Sequence, residues 1–335
     1  MLFRSVIVCS EVAPILCYVD AVKVPVPYEN KCWTMQQHTP WRGIERLEPG
    51  RLYFNHQPAS QLDDIWSWIQ PKTYGSFDEA YEEFSEVWAR AMRIIKPNCA
   101  MALSYSGGLD SSIILADLNP SQLIAINMVG KDPVVNRVRE FLTEQQQLRL
   151  TEISVTFEQY ADYCQQTQQR TRMPIQSWSH VGKWIAAEAC TARVLFSGQG
   201  ADELFGGYDI YRNINYTMEY PTSPYSQHID HDLWHRCLSV YDNDPGQATL
   251  LADYWTQIVG SDGPGSDRIH SAHGIEARNP FLLKSVMQFA LNLPWQFKVN
   301  TVGKPMIRRK FLERWPEELL LPKMGFAGHA NDRSE

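Results

Sequence analysis

Cys99-Ala100-Met101-Ala102-Leu103 runs into Ser104-Tyr105-Ser106-Gly107-Gly108-Leu109-Asp110-Ser111-Ser112. The first five residues form a short apolar run that reads as a buried strand. Asp110 to Leu118 carries a helical pattern. A Gly-Gly turn between a strand and a helix lets the backbone bend sharply and approach an anion. The serine hydroxyls and the free N–H groups at the helix start then serve as donors to phosphate oxygens. No lysine follows the glycines, so this is not the G-x-x-x-x-G-K-[ST] phosphate loop. A carboxylate among phosphate donors needs a cation between them, which makes Asp110 a candidate Mg²⁺ ligand. The plainer alternative is an ordinary Gly-Gly turn with Asp and Ser capping a helix.

Working outward, Leu123 to Met128 and Arg193 to Phe196 read as further short buried strands, and Leu150 to Val155 as a strand. Helical patterns fill Pro133 to Gln147, about 157–170 and about 179–190. Strands rich in β-branched residues that alternate with helices predict an α/β fold, a doubly wound parallel sheet covered on both faces. A second glycine-rich turn, Ser197-Gly198-Gln199-Gly200-Ala201-Asp202-Glu203-Leu204-Phe205-Gly206-Gly207-Tyr208, follows the strand ending at Phe196. Both turns then sit at carboxyl ends of strands, where open α/β sheets bind ligands. Asp110 and Asp202 are placed to share one metal, although a capped turn with favourable helix-start carboxylates explains Asp202 and Glu203 as well. Before the sheet, Phe77 to Ile95 carries Phe77, Tyr81, Phe84, Val87, Trp88, Ala91, Met92 and Ile95 at helical spacing. Past residue 210 the strand signal fades, and a mostly helical region is expected.

Residues 1–60 read as short strands: Val6-Ile7-Val8, Val22-Lys23-Val24-Pro25-Val26, and Arg51-Leu52-Tyr53-Phe54 after Glu48-Pro49-Gly50. Residues 61–75 read as a linker. The expected division is a β-rich segment over 1–75 and the sheet-bearing domain over 76–335. That agrees with 335 residues at roughly 150 per domain. The net charge of −7 argues against general nucleic-acid or anionic-membrane binding. Seven cysteines at wide spacing without C-x-x-C read as reduced thiols, with Cys9, Cys17 and Cys32 buried. Glu11 and Asp20 interrupt the apolar start, so neither a signal peptide nor a membrane span is expected, and the setting is read as cytoplasmic.

The two glycine-rich turns resemble those of the synthetase domain of glutamine-dependent asparagine synthetases, part of the PP-loop ATP pyrophosphatase group. β-Lactam synthetases and lasso-peptide cyclases share that domain. Two more blocks carry the resemblance. One is His273-Gly274-Ile275-Glu276-Ala277-Arg278-Asn279-Pro280-Phe281-Leu282, preceded by Asp267-Arg268. The other is Lys304 through Arg308 followed by Leu321-Pro322-Lys323-Met324-Gly325-Phe326. All four stand in family order and cover about residues 80–326. The resemblance implies a PP-loop fold that uses ATP and Mg²⁺. A substrate carboxylate is adenylated with release of pyrophosphate, and ammonia or an amine then displaces AMP. By position, Ser106, Gly107, Gly108, Ser111 and Ser112 would hold the pyrophosphate, and Asp110 and Asp202 the Mg²⁺. Ser104, Ile126, Ser197 and Gly198 would line the adenosine site. Lys323 would stabilise charge developing on the phosphates, and Glu276 would position or deprotonate the amine. The alternative for Glu276 is an ion pair with Arg278. Residues 298–310 hold Lys298, Lys304, Arg308, Arg309 and Lys310 with no acid, which suits a polyphosphate site. For Lys298, Arg309 and Lys310 a solvated helix face is the reading.

Three departures qualify the resemblance. Leu2 stands where glutamine-hydrolysing members carry a nucleophilic Cys, and the residues before 80 are too few for a glutaminase domain. Residues 43–50 resemble that domain's last strands, so a remnant is expected, with ammonia free in solution, delivered by a separate glutaminase partner, or replaced by a substrate amine. Gln199 stands where asparagine synthetases carry Glu, and a neutral amide cannot act as a base. Leu283 replaces the Asp that commonly follows Pro-Phe-Leu. The default substrates are aspartate and ammonia. The alternatives are a specialised ligase of a natural-product, sugar or viral pathway, or a degenerate nucleotide-binding subunit. His180, His270 and His273 match no catalytic position and read as core or surface residues.

Overall fold

A computed structural model describes residues 8–9, 12–17, 19, 39, 41–47, 51–54, 57–61, 65–128, 139–144, 148–175, 177–213, 215–221, 223–226, 229–301 and 303–320. Strands β1 (Arg51–Phe54) and β2 (Gln57–Gln61) form an antiparallel hairpin. The main sheet contains β3 (Met101–Ser104), β4 (Gln122–Met128), β5 (Leu150–Val155), β6 (Val194–Phe196) and β7 (Glu276–Arg278), in the spatial order β5-β4-β3-β6-β7. Every pair is parallel. The order runs outward in both directions from β3, so the first glycine-rich turn leaves the middle of the sheet.

Period-two alternation along the strands separates two cores. Met101, Leu103, Leu123, Val194 and Phe196 face one side, with α1 (Phe77–Ile95) and α2 (Leu109–Asp117). Ala102, Ile124 and Leu195 face the other, where Trp184, Ala186 and Ile269 pack. These last residues belong to α4 (Trp178–Ala189) and α5 (Gly263–Ala272), beside α3 (Phe157–Thr171). A strand buried on both faces is apolar along its run, as Met101 to Leu103 and Val194 to Phe196 are, whereas β5 near the sheet edge carries Thr151, Glu152 and Ser154.

Helix α1 spans the residues its periodicity predicts. The Ser76 hydroxyl caps it by accepting from the Glu79 N–H at 3.1 Å, and Asp78 and Glu79 complement the dipole in its first turn. Tyr81, Phe84, Trp88, Met92 and Ile95 are its buried stripe. Full burial of Phe84 contributes roughly 1.5–3 kcal/mol. The Trp88 indole N–H donates to Asp117 Oδ2 at 2.6 Å, tying α1 to the end of α2.

The structure revises several expectations. Strand β7 lies in the region where the strand signal faded. It has three residues, two of them charged, so no alternation was there to read. Residues 254–262 form a π-helix leading directly into α5. The stretch read as a linker contains a short helix, Ile65–Trp68. Ile65 and Ile69 are buried in the larger core, and Trp66 stacks on Trp255 with ring centroids 5.4 Å apart. It is therefore a strap bound to the core. Cys9 and Cys17 are exposed rather than buried. Cys32, the run 22–26 and Val6-Ile7 lie outside the described residues, whereas Val8 is exposed. Of the predicted helix 133–147, residues 139–144 are described, and they are helical.

Candidate active site

The first turn begins where β3 ends at Ser104. The Tyr105 N–H still donates to the Ile124 carbonyl at 2.7 Å, and then the chain leaves the sheet. Gly107 has φ +80°, a region that glycine enters without penalty. The Ser106 hydroxyl accepts from the Gly108 N–H at 3.2 Å and lies 3.2 Å from the Ser111 hydroxyl, which donates to the Gly108 carbonyl at 3.1 Å. Gly108 caps α2 with no side chain, so no cap covers the first N–H groups of the helix. Ser112, one helical step beyond Ser111, is fully buried beside Tyr105.

The second turn leaves β6. The Ser197 N–H donates to the Arg278 carbonyl at 3.1 Å, and the Ser197 hydroxyl donates to Asn279 Oδ1 at 2.6 Å. The two turns touch: a Cβ on Gly198 would stand 2.8 Å from the Asp110 Cβ. A Cβ on Gly207 would fall 1.9 Å from Asp202 Oδ1 and 2.0 Å from Lys304 Cε. Only glycine permits either approach.

Between the turns stands Lys304. Its Nζ donates to Asp110 Oδ1 at 2.7 Å and Oδ2 at 2.6 Å, and lies 2.6 Å from Asp202 Oδ1. Burial alone would lower the pKa of the ammonium, but the two carboxylates outweigh it and hold it above its ordinary value. One cation between two carboxylates leaves net negative charge at the place where the turns meet. Lys304 adopts φ +48° at the N-cap of α6 (Pro305–Leu312). The sequence places it in the fourth block and in the basic run that suits a polyphosphate site, but does not show its contacts with Asp110 and Asp202. Its signal was visible: a cation at a helix N-terminus opposes the helix dipole, so something else must hold it. Lys298, read as part of a solvated face, is instead buried, and its Nζ donates to Gln247 Oε1 at 2.7 Å. Arg309 keeps the expected surface position, ion-paired with Asp78 and stacked over the Tyr81 ring.

Glu203, next to Asp202, is buried and accepts from the Tyr208 hydroxyl at 2.6 Å; burial beside Asp202 raises its pKa to about 7. Glu276 opens β7, two residues before the carboxyl end. Its exposed carboxylate accepts from Arg278 Nε at 2.9 Å, so the ion pair is the contact this residue makes. Arg278 also donates to the Ile95 carbonyl. Ile126 lies on β4 two residues past Ile124, the partner of Ser104. Both polar atoms of the Gln199 amide are buried without a partner among the described residues. Lys323 lies outside the described residues.

Asp110 and Asp202 converge on one point. A pair of carboxylates fits Mg²⁺, which binds through one or two protein carboxylates and completes its shell with water and phosphate oxygens. No group of three or more His, Cys, Asp or Glu side chains that could hold a metal occurs among the described residues.

A central strand order starting from β3, two glycine-rich turns at adjacent carboxyl ends and paired carboxylates between them are the α/β architecture of a PP-loop synthetase domain. The asparagine synthase family matches residues 79–333, well over half of the chain, and the chain belongs to that family. A protein provisionally named a glutamine-hydrolysing asparagine synthetase in Methanocaldococcus jannaschii is 25% identical over 273 residues, 78% of this chain and 46% of that protein. An asparagine synthetase domain-containing protein of Drosophila melanogaster is 37% identical over 112 residues, 33% of this chain and 17% of that protein. A Gibberella zeae protein named amidase chry2 is 23% identical over 215 residues, 55% of this chain and 31% of that protein. The chain therefore spans less than half the length of these curated relatives. No helix among the described residues is long and apolar enough to cross a membrane.

Proposed function

We propose that the protein is an ATP-dependent amide ligase that releases pyrophosphate and AMP, with aspartate and ammonia as default substrates. The observation that carries this is the meeting of Asp110, Lys304 and Asp202 beside the Ser106–Ser111 turn. Attack of a substrate carboxylate oxygen on the α-phosphorus breaks its bond to the bridging oxygen, and negative charge accumulates on pyrophosphate. Donors fixed in advance at that place lower the barrier because they need no reorganisation. The main-chain N–H of Gly107, the uncapped N–H groups opening α2 and the hydroxyl of Ser106 are those donors, with the Gly108 N–H and the Ser111 hydroxyl holding the turn in shape. Lys304 supplies a buried positive charge and keeps Asp110 and Asp202 in register. Asp110 and Asp202 would hold Mg²⁺, whose chemistry there is to neutralise the polyphosphate. Ser104, Ile126, Ser197 and Gly198 border the adenosine side. Lys323 is assigned a second cationic role from its sequence block alone. An amine then attacks the acyl carbon and AMP departs; Glu276 serves this step only if it releases Arg278.

The N-terminal segment over 1–75 supplies no glutaminase chemistry in this reading, and ammonia comes from solution or a separate glutaminase partner. The acidic chain takes no nucleic acid and works in the cytoplasm. The buried, unpartnered Gln199 amide favours one variant of the proposal, in which the carboxylate is a specialised one that hydrogen-bonds this amide. The test is incubation with Mg²⁺-ATP, ammonium and a carboxylate panel headed by aspartate, measuring pyrophosphate and AMP, with Asp110→Asn as control. Aspartate-dependent pyrophosphate and asparagine support the default. Turnover with another acid only supports the specialised variant. ATP binding without pyrophosphate from any acid removes the ligase reading and leaves a nucleotide-binding subunit.

A further inference from the structure

Arg139 is a buried guanidinium that neither glycine-rich turn contains. Only about 5% of the residue is exposed. Its Nε donates to the Ser106 carbonyl at 3.0 Å, its Nη1 donates to Asn127 Oδ1, and Nη1 lies 3.5 Å from Glu152 Oε1. Ser106 follows β3, Asn127 lies on β4 and Glu152 on β5, so one side chain ties three neighbouring strands together. Burying a charge is costly unless it is paired and hydrogen-bonded. These contacts meet that need, and burial still lowers the pKa of the guanidinium, against the influence of Glu152.

We propose that Arg139 is a positioning residue that sets the orientation of the Ser106–Gly107 peptide and thereby points the Gly107 N–H at the pyrophosphate. The inference rests on the functional reading above. Cis peptides are absent among the described residues, and in a trans peptide the carbonyl and the following N–H point in opposite directions. Drawing the Ser106 carbonyl down onto a buried guanidinium turns the Gly107 N–H away from it, out of the protein interior. The left-handed φ of Gly107 permits that setting without side-chain strain. A turn free to flip this peptide would present a carbonyl to an anion in a fraction of molecules, and affinity would drop by that fraction.

The experiment is calorimetric binding of inorganic pyrophosphate with Mg²⁺ to the full chain, alongside thermal unfolding. Four proteins are compared: wild type, Arg139→Met, Arg139→Lys and Asn127→Ala. Arg139→Met is expected to bind at least tenfold more weakly. Lysine retains a charge for Glu152 but has no planar fork with an Nε donor. Arg139→Lys should therefore recover the melting temperature while affinity stays depressed, a split that a purely structural role would not produce. Asn127→Ala leaves the bond to Ser106 in place and should bind like wild type. Folded Arg139→Lys with wild-type affinity overturns the proposal, as does Asn127→Ala weakened as much as Arg139→Met. Wild type that binds neither pyrophosphate nor ATP overturns the functional reading itself.

Discussion

Lys304 is the residue on which the two turns depend. Its side chain is about 5% exposed, and Asp110 and Asp202 are also largely enclosed. Replacing it by methionine removes the cation that both carboxylates contact. Breaking one side of a buried ion pair costs about 3 kcal/mol or more, because the remaining charge is stranded. Lys304→Met is therefore expected to lower stability by that order in denaturant titration. It should also cut pyrophosphate release by about a hundredfold, the usual loss on removing a fixed electrostatic donor. Unchanged stability would show that the three groups do not form the unit described. Asp110 and Asp202 were legible as a pair from their two glycine-rich turns alone. Lys304 was legible as a cation of the basic run, but its contact with Asp110 was not, because residues 110 and 304 share no local periodicity to betray it. Glu276 shows the converse: its block was legible, yet only the structure reveals that its carboxylate is engaged by Arg278.

Among elements, the close approach of the two turns makes a sharp demand on Gly198. A methyl group there would meet the Asp110 Cβ at 2.8 Å, closer than real Cβ contacts come. Neither partner is the far end of a flexible side chain, so Gly198→Ala must push β6's turn away from α2. Neither Gly198 nor Asp110 is itself a member of the apolar clusters on the two faces of the sheet. The expected outcome is a folded protein with a near-normal melting temperature and at least tenfold weaker ATP affinity, read by calorimetry. Wild-type affinity would mean that the spacing of the turns is not what positions the ligand. Helix α1 and strands β3, β4 and β6 were readable because burial imposes a repeat of 3.6 or a short apolar run, and β5 from Leu150, Ile153 and Val155 set among polar residues. Strand β7 escaped notice since three residues with two charges make no pattern. Its place is fixed by the parallel ladder with β6 and by Ile275 in the core below. The strap at 65–69 was hidden for a related reason: isolated Ile and Trp residues acquire meaning only once their partners, such as Trp255, are in place.

Across the whole molecule, the site rests against a helical region that buries charged side chains, and this gives the fold a testable response to pH. Lys298 lies behind the second turn, where its carbonyl would be 2.9 Å from a Cβ on Gly206. Its ammonium is fully enclosed, reaches Gln247 Oε1 and lies over the Tyr241 ring. Desolvation pushes its pKa down to about 7, with Asp244 opposing the shift. Unfolded chains bind this proton up to a pH of about 10.4. Above pH 7 the unfolded state therefore holds more protons at this site than the folded state, and stability rises with pH. The slope is at most about 1.4 kcal/mol per pH unit for one group. Glu203, raised to about 7, acts in the opposite sense, but its effect lies below that value, as does that of Asp253, raised to about 6. His180 and His270 are lowered and also act below neutrality. Raised thiols such as Cys190 begin to destabilise once unfolded cysteines ionise, from a pH of about 8.5. Between these limits Lys298 dominates. Denaturation midpoints should climb from pH 7 to about 8.5 in the wild type and stay level in Lys298→Met. A wild-type midpoint that falls over this window would mean that Lys298 keeps its proton in the core. The enclosed ammonium would then have to be held by more negative charge than Asp244 brings to it.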